Sequence, residues 1–197
     1  LSREEIQNQS PTNNIADFVN QLPALAGSTR PSNSRLAISS GLAGVNTMNL
    51  RNLGEVRTLV LLDGRRSVGS TITGLVDINT FPQALVKNVE IVTGGASAAY
   101  GSDAVAGVVN YVLDKTYEGF KVDGDIGITD EGDGFNYSFS GAAGLSFGDG
   151  RGHFLIAGEY AHRDGIFQVD RDWNQLGYRT LANPAYTATN GQPANLV

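Results

Sequence analysis

The 197-residue sequence contains no cysteine, which excludes disulfide frameworks, thiolate metal sites and cysteine nucleophiles together. Histidine is scarce as well, with two residues. His153 and His162 stand nine apart on a run that reads as a strand, so they point to opposite faces, and neither has a carboxylate at ligand spacing. No metal site is expected. Positive charge is in the minority, 14 Lys and Arg against 20 Asp and Glu for a net charge of -6, and a phosphate backbone would be repelled. No run approaches the ~18 apolar residues of a membrane-spanning helix. No basic-then-apolar leader stands at Leu1, which leaves either a cytosolic protein or a chain that begins after processing. A membrane role, if there is one, must be carried by β-strands.

Glycine, by contrast, is abundant, with 25 residues spread along the chain, as suits many turns and close strand packing. Up to about residue 116, short helical and strand patterns alternate. Ser2 caps a short helix over 2–9 with Glu4 and Glu5 in its first turn. Ile15, Phe18, Val19 and Leu22 fall at i, i+3, i+4 and i+7, an amphipathic helix begun at Ser10-Pro11 and ended by Pro23. Short strands are expected at 36–40 and 48–50. An apolar strand over 58–62 stops at Asp63-Gly64, a strong turn signal. Residues 65–74 read as an exposed polar loop and 81–86 as a Pro-initiated helical turn. Strands are expected at 89–92 and 107–113, with a short helix at 96–100 between them.

Beyond residue 116 strict period-2 alternation takes over. Phe120, Val122, Gly124, Ile126 and Ile128 oppose Lys121, Asp123, Asp125 and Thr129. Phe135, Tyr137, Phe139, Ala143, Leu145 and Phe147 oppose Asn136, Ser138, Ser140 and Ser146. Phe154, Ile156 and Tyr160 oppose Glu159 and Arg163. Each run has about the ~9–11 residues that cross a bilayer as a tilted strand. A soluble sandwich or barrel demands the same alternation. Two features favour the membrane: the polar faces carry small and charged residues, and the apolar faces end in aromatics. Connections alternate too, tight at 148–152 and long and polar beyond Gly165, as between the periplasmic turns and outer loops of bacterial barrels.

Two enzyme motifs are approached and missed. Gly94-Gly95-Ala96-Ser97 lacks the G-x-G-x-x-G of a dinucleotide site. Gly95-Ala96-Ser97-Ala98-Ala99 lacks the last glycine of a nucleophile elbow. The acidic 130–134 turn is too short for a calcium loop and reads as a solvated hairpin. Trp173 and Tyr178 fall in the long loop, where they can touch a ligand or lie near headgroups.

Four segments occur in a fixed order: Asn49-Leu50-Arg51-Asn52-Leu53-Gly54; Thr58-Leu59-Val60-Leu61-Leu62-Asp63-Gly64; Val89-Glu90-Ile91-Val92-Thr93-Gly94-Gly95-Ala96-Ser97-Ala98-Ala99-Tyr100-Gly101-Ser102; and Ala106-Gly107-Val108-Val109-Asn110-Tyr111-Val112. This series closely resembles the plug domain of TonB-dependent receptors over residues 1–116. The resemblance implies an α/β (α+β) plug with a small mixed sheet, followed at 117–197 by the first antiparallel strands and an outer loop of a 22-stranded transmembrane β-barrel, incomplete here. It departs from the family where Thr93-Gly94-Gly95 replaces the usual Arg-Gly-Pro and Arg51-Asn52 replaces Arg-Gly.

The resemblance also implies a function: uptake across the outer membrane of a Gram-negative bacterium of a scarce, bulky nutrient of the siderophore-iron, cobalamin or glycan class. The partners would be TonB, gripping a segment upstream of Leu1, the imported ligand, and outer-membrane lipid, with no nucleic acid. No catalytic residue and no cofactor is implied. By position, the apical plug loops that meet ligand are 39–46 and 65–73, with Ser39, Ser40, Asn46, Arg66, Ser67, Ser70, Thr71 and Thr73 as donors. An ordinary solvated loop has the same serine and threonine content. Arg51 and Glu90 are charges suited to pairing within the plug or with the barrel. Two other readings remain open, a structural or attachment barrel that keeps a plug-like domain and a soluble α/β enzyme.

Overall fold

The computed structural model describes residues 18–30, 42–166 and 181–196. The helix expected at 2–9, most of the helix expected over 11–22, the strand expected at 36–40, and Trp173 and Tyr178 lie outside the described residues. Phe18 and Val19 are helical and buried. By its contacts the chain divides into two units, residues 1–126 with 137–162 and residues 127–136 with 163–197.

In the first unit a four-stranded mixed sheet has the order β2-β1-β4-β3. Strand β1, Thr58–Leu62, is buried on both faces: Val60 joins one core cluster and Leu59 and Leu61 another. That explains why its sequence is a continuous apolar run rather than an alternation. Asp63 and Gly64 follow with φ of 52° and 73°. Two successive left-handed residues make the primed turn that matches strand twist, and Asp-Gly is a preferred pair for it. The turn returns the chain as β2, Arg65–Arg66, paired antiparallel with β1. The loop expected from Arg65 onward therefore begins two residues later than the polar composition suggested.

Strand β3, Val86–Thr93, is antiparallel to β4, Gly107–Leu113, and β4 is parallel to β1. The short helix α1, Ser97–Tyr100, and the 3₁₀ turn Ser102–Ala104 connect β3 to β4. Ala104 closes the Leu59, Leu61, Val108 cluster on one face of the sheet. The other face carries the main core, with Leu25, Met48, Leu50, Val86, Val89, Val109 and Tyr111 all at 2% exposure or less. Each such aliphatic side chain contributes ~1.5–3 kcal/mol by leaving water. The Tyr111 ring meets Phe81 edge-on at 5.2 Å, and its hydroxyl donates to the Met48 sulfur at 3.6 Å. Burial pushes the Tyr111 phenol well above its ordinary range.

No strand forms at 48–50, against expectation. The backbone there is satisfied by side chains instead of a ladder: Asn49 N–H donates to Ser28 Oγ at 2.9 Å and Leu50 N–H to Thr58 Oγ1 at 2.9 Å. A 3₁₀ turn, Leu50–Asn52, follows, with Arg51 and Asn52 both at positive φ.

Asp63 ties the turn to the end of β4. Its N–H donates to the Tyr111 carbonyl at 2.8 Å, its Oδ1 accepts from Leu113 N–H at 2.9 Å, and its Oδ2 pairs with Lys115 at 3.1 Å. Asp63→Ala should lower plug stability by about 2 kcal/mol, because a partly buried N–H loses a charged acceptor. Asp63→Asn, which keeps an acceptor oxygen, should recover most of that in a urea titration followed by amide exchange of β4.

The second sheet has the order β5-β6-β7, with β5 Gly119–Gly127, β6 Asn136–Phe147 and β7 Gly152–Arg163, as the alternation predicted. Outward faces are apolar and exposed, Phe120 at 77% and Ile126 at 75% among them. Tyr137 stacks in tilted contacts with Tyr160 at 6.0 Å and His162 at 5.4 Å on the same face. The inward faces are polar or small: Lys121 pairs with Asp123 at 2.9 Å, while Ser140 and Ala142 are buried. Histidines 153 and 162 do take opposite faces, His153 lying 3.1 Å from the Tyr117 carbonyl.

In the second unit, the acidic hairpin is closed by Thr129 N–H donating to the Asp133 carbonyl at 3.0 Å. Short strands β8, Leu181–Ala182, and β9, Asn195–Leu196, pair antiparallel around a loop braced by Asn183 and Asn190. Among the described residues no helix is long and apolar enough to cross a membrane, which says nothing of strands.

Candidate functional site

The loop that leaves β2 is held by its own polar groups. Ser70 N–H donates to the Leu75 carbonyl at 2.7 Å, Gly74 N–H to the Thr71 carbonyl at 3.0 Å, and Leu75 N–H to Thr71 Oγ1 at 3.0 Å. The Thr71 and Thr73 hydroxyls lie 2.9 Å apart, and Ser70 Oγ accepts from Asp77 N–H at 3.2 Å. Gly69 lies so close to Gly74 that a Cβ there would stand 2.7 Å from the Gly74 Cα. The loop is thus a closed, preorganised turn with the side chains of Val68 and Ile72 exposed on it.

Of the expected donors, the structure brings Arg66, Ser67, Ser70, Thr71 and Thr73 together here. Arg66, Ser67 and Thr73 line a cavity of about 270 Å³ with Thr47, Glu55 and Thr58. Arg66 is already engaged within the protein: its guanidinium pairs with Asp103, which lines the same cavity, and donates to the Tyr100 carbonyl, tying β2 to α1 and the turn after it. Asn46 is at 0% exposure and is part of the scaffold. Its amide donates to Asn79, while Asp77 Oδ1 accepts from both the Asn46 and Asn79 N–H groups at 3.1 and 3.0 Å. Ser39 and Ser40 lie outside the described residues.

Arg51 and Glu90 hold the plug together through neutral partners. Arg51 donates to the Ala106 carbonyl at 3.1 Å, and Glu90 accepts from Asn110 at 2.9 Å. Asn110 in turn accepts from Gly64 N–H at 2.9 Å. Neither charge forms an ion pair among the described residues.

Sequence reasoning missed three organising carboxylates. Asp77 caps the 3₁₀ turn Ile78–Thr80. Its position just before that turn was the available signal, since aspartate caps by accepting from the residue two on. Glu55 accepts from both Thr29 and Thr47, a link across distant chain segments that leaves no sequence signature. Asp103 is held below the usual carboxylate range by its hydrogen bonds from Arg66 and Ser102. A depressed carboxylate pKa means the tie is present above the unfolded value of about 3.9 and is lost as pH falls through the folded one. The Arg66 tie should therefore persist across pH 5–8. Asp103→Asn should lower the amide-exchange protection of residues 97–104 severalfold at pH 7, and that protection, corrected for the intrinsic exchange rate, should no longer fall as the Asp103 carboxylate would be protonated. No cluster of His, Asp or Glu able to hold a metal occurs among the described residues.

The family model of the TonB-dependent receptor plug domain matches residues 1–108. The chain belongs to that family. Its fold is that of solved receptors: the ferric enterobactin receptor PfeA of Pseudomonas aeruginosa (G324V mutant) at TM-score 0.64 and 19% identity, covering 94% of this chain and 26% of that one. The siderophore receptor PirA of Acinetobacter baumannii superposes at TM-score 0.63 and 18% identity, over 90% and 26% of the two chains. PirA of Pseudomonas aeruginosa does so at 0.57 and 20%, over 83% and 28%. The chain spans about a quarter of the length of these receptors. A TonB-dependent receptor plug followed by antiparallel barrel strands accounts for both sheets. The plug turn Gln83–Leu85 rests against the inner faces of β6 and β7, with Ala84 and Leu85 clustered with Ala142, Leu155 and Ala157.

Proposed function

We propose that the chain is the plug and first wall of an outer-membrane receptor that imports a siderophore-type iron chelate in a TonB-dependent way, rather than an enzyme. The observation that carries this reading is the two-faced second sheet. Its small and polar face receives the plug, and its aromatic, aliphatic face stands bare along three strands, as a lipid-facing wall does. The siderophore class is supported by the receptors of known structure that share the fold. The 67–74 loop is the ligand-facing element, with Ser67, Ser70, Thr71 and Thr73 at its surface. Arg66 shapes the loop through Asp103 rather than reaching out from it.

The test is uptake of a panel of radio-iron chelates by a Gram-negative strain that lacks its own receptors and expresses the full-length protein, with and without TonB. Uptake of at least one chelate that disappears without TonB supports the proposal. Equal iron accumulation in both strains for every chelate contradicts it and favours the attachment reading.

A further inference from the structure

We infer that the plug's share of the ligand site, the 67–74 loop and the cavity it borders, takes an uncharged hydrogen-bonding surface and turns away an anionic group. This rests on the import reading above and deepens it, by assigning the charge of the ligand where it meets the plug.

The loop carries no charged residue from Ser67 to Gly74. It presents hydroxyls, which both donate and accept, beside two aliphatic side chains in full view of solvent, Val68 at 90% exposure and Ile72 at 106%. Its backbone is already closed on itself, so these groups are held in place before a ligand arrives. The cavity of about 270 Å³ adds the Thr47 hydroxyl and the carboxylates of Glu55 and Asp103 to Arg66, Ser67 and Thr73. Two carboxylates there face one guanidinium, so the lining is left with one negative charge in excess.

That guanidinium is not waiting for an anion. Arg66 is paired with Asp103, and Glu55 is occupied by the Thr29 and Thr47 hydroxyls. Other cations of the plug lie off this lining. Arg51 donates to the Ala106 carbonyl and Arg57 to the Leu53 carbonyl. Arg65 and Lys115 line a different cavity, at the Leu62 end of β1, where Lys115 pairs with Asp63. An anionic group at the loop would therefore meet hydroxyls, aliphatic surface and excess carboxylate. Like charges brought together in this way reject a partner more than they weaken the right one.

The test measures equilibrium binding of two ferric chelates to the purified full-length protein in detergent. One is a neutral trihydroxamate and the other a trianionic tris-catecholate, since each hydroxamate carries one negative charge and each catecholate two. The neutral chelate is expected to bind at least roughly tenfold more tightly. Equal or tighter binding of the trianion, or binding of neither, overturns the inference. Ile72→Lys and Ile72→Glu then probe the charge at the loop itself, on a side chain too exposed to be needed for folding. Their dissociation constants for the neutral chelate should agree within about threefold, whereas a split of about tenfold in either direction would place a charged group there and sink the idea. Arg65→Gln should leave both chelates unaffected, because Arg65 has no hydrogen bond or ion pair among the described residues and lines the other cavity. A tenfold loss of binding in that variant would seat an anionic group beside Arg65 and contradict the inference. Tight binding of the neutral chelate without TonB-dependent uptake would leave the inference standing and sink the import reading alone.

Discussion

Gly107→Val should unfold the plug or bring it close to unfolding. Gly107 opens β4 at φ 137°, a region that side-chain-bearing residues rarely adopt, and an added Cβ would stand 2.2 Å from the Val92 carbonyl oxygen and 2.4 Å from Leu50 Cδ2. The strained backbone costs ~1–3 kcal/mol. Overpacking against a strand carbonyl and a fully buried leucine costs a similar ~1–3 kcal/mol. The sum, about 4 kcal/mol, is a large share of the ~5–15 kcal/mol that holds an ordinary domain together. Gly95→Ala is the control: nothing lies within 4 Å of the added Cβ, and its change should stay within about 0.5 kcal/mol. Urea denaturation of the purified protein, read by amide exchange of β1 and β4, measures both.

Gly144→Val should leave the plug folded but lift its linker from the wall. Here the backbone is not in the left-handed region, and the argument is space alone. The Cβ would stand 1.9 Å from the Tyr117 carbonyl oxygen, a backbone atom that cannot rotate aside. Either β6 bends or the 114–118 linker rises, at a cost of about 3 kcal/mol. Limited trypsin digestion reads the second outcome, because Lys115 lies in that linker with its side chain 68% exposed. Cleavage after Lys115 should be at least roughly tenfold faster, each factor of ten standing for ~1.4 kcal/mol of local opening. Gly158→Ala on β7, with nothing within 4 Å, should leave the rate unchanged.

The strands were legible in the sequence where a local rule decides them. The alternation of β5, β6 and β7 is a property of single residues and a fixed period, so their extents were readable to within about two residues. The Asp63-Gly64 turn was equally plain, since both residues suit the left-handed region. The 48–50 segment was not legible. Whether an extended run becomes a strand depends on who accepts its N–H groups, and Ser28 and Thr58, from elsewhere in the chain, do so.

The conformation of the loop proposed to face ligand was legible in outline only. Position along the chain placed the 67–74 loop, but not which of its side chains face outward. Asn46 reads as a loop donor by residue type, yet the Asp77–Asn79 turn encloses it. Arg66 reads as a free cation, but Asp103, 37 positions on, engages it. Composition cannot tell a polar side chain that closes a turn from one that waits for a ligand.

The most direct test of the account asks which face of β6 meets lipid. Single cysteines at Phe139, Ser140, Ala142 and Leu145 in the full-length protein, each carrying a small fluorophore, would be measured in bilayers containing spin-labelled lipid. The account predicts strong quenching at 139 and 145 and little at 140 and 142, whose side chains face the plug. Equal quenching at all four positions, or the reverse pattern, would contradict a membrane-embedded barrel wall with the plug inside it.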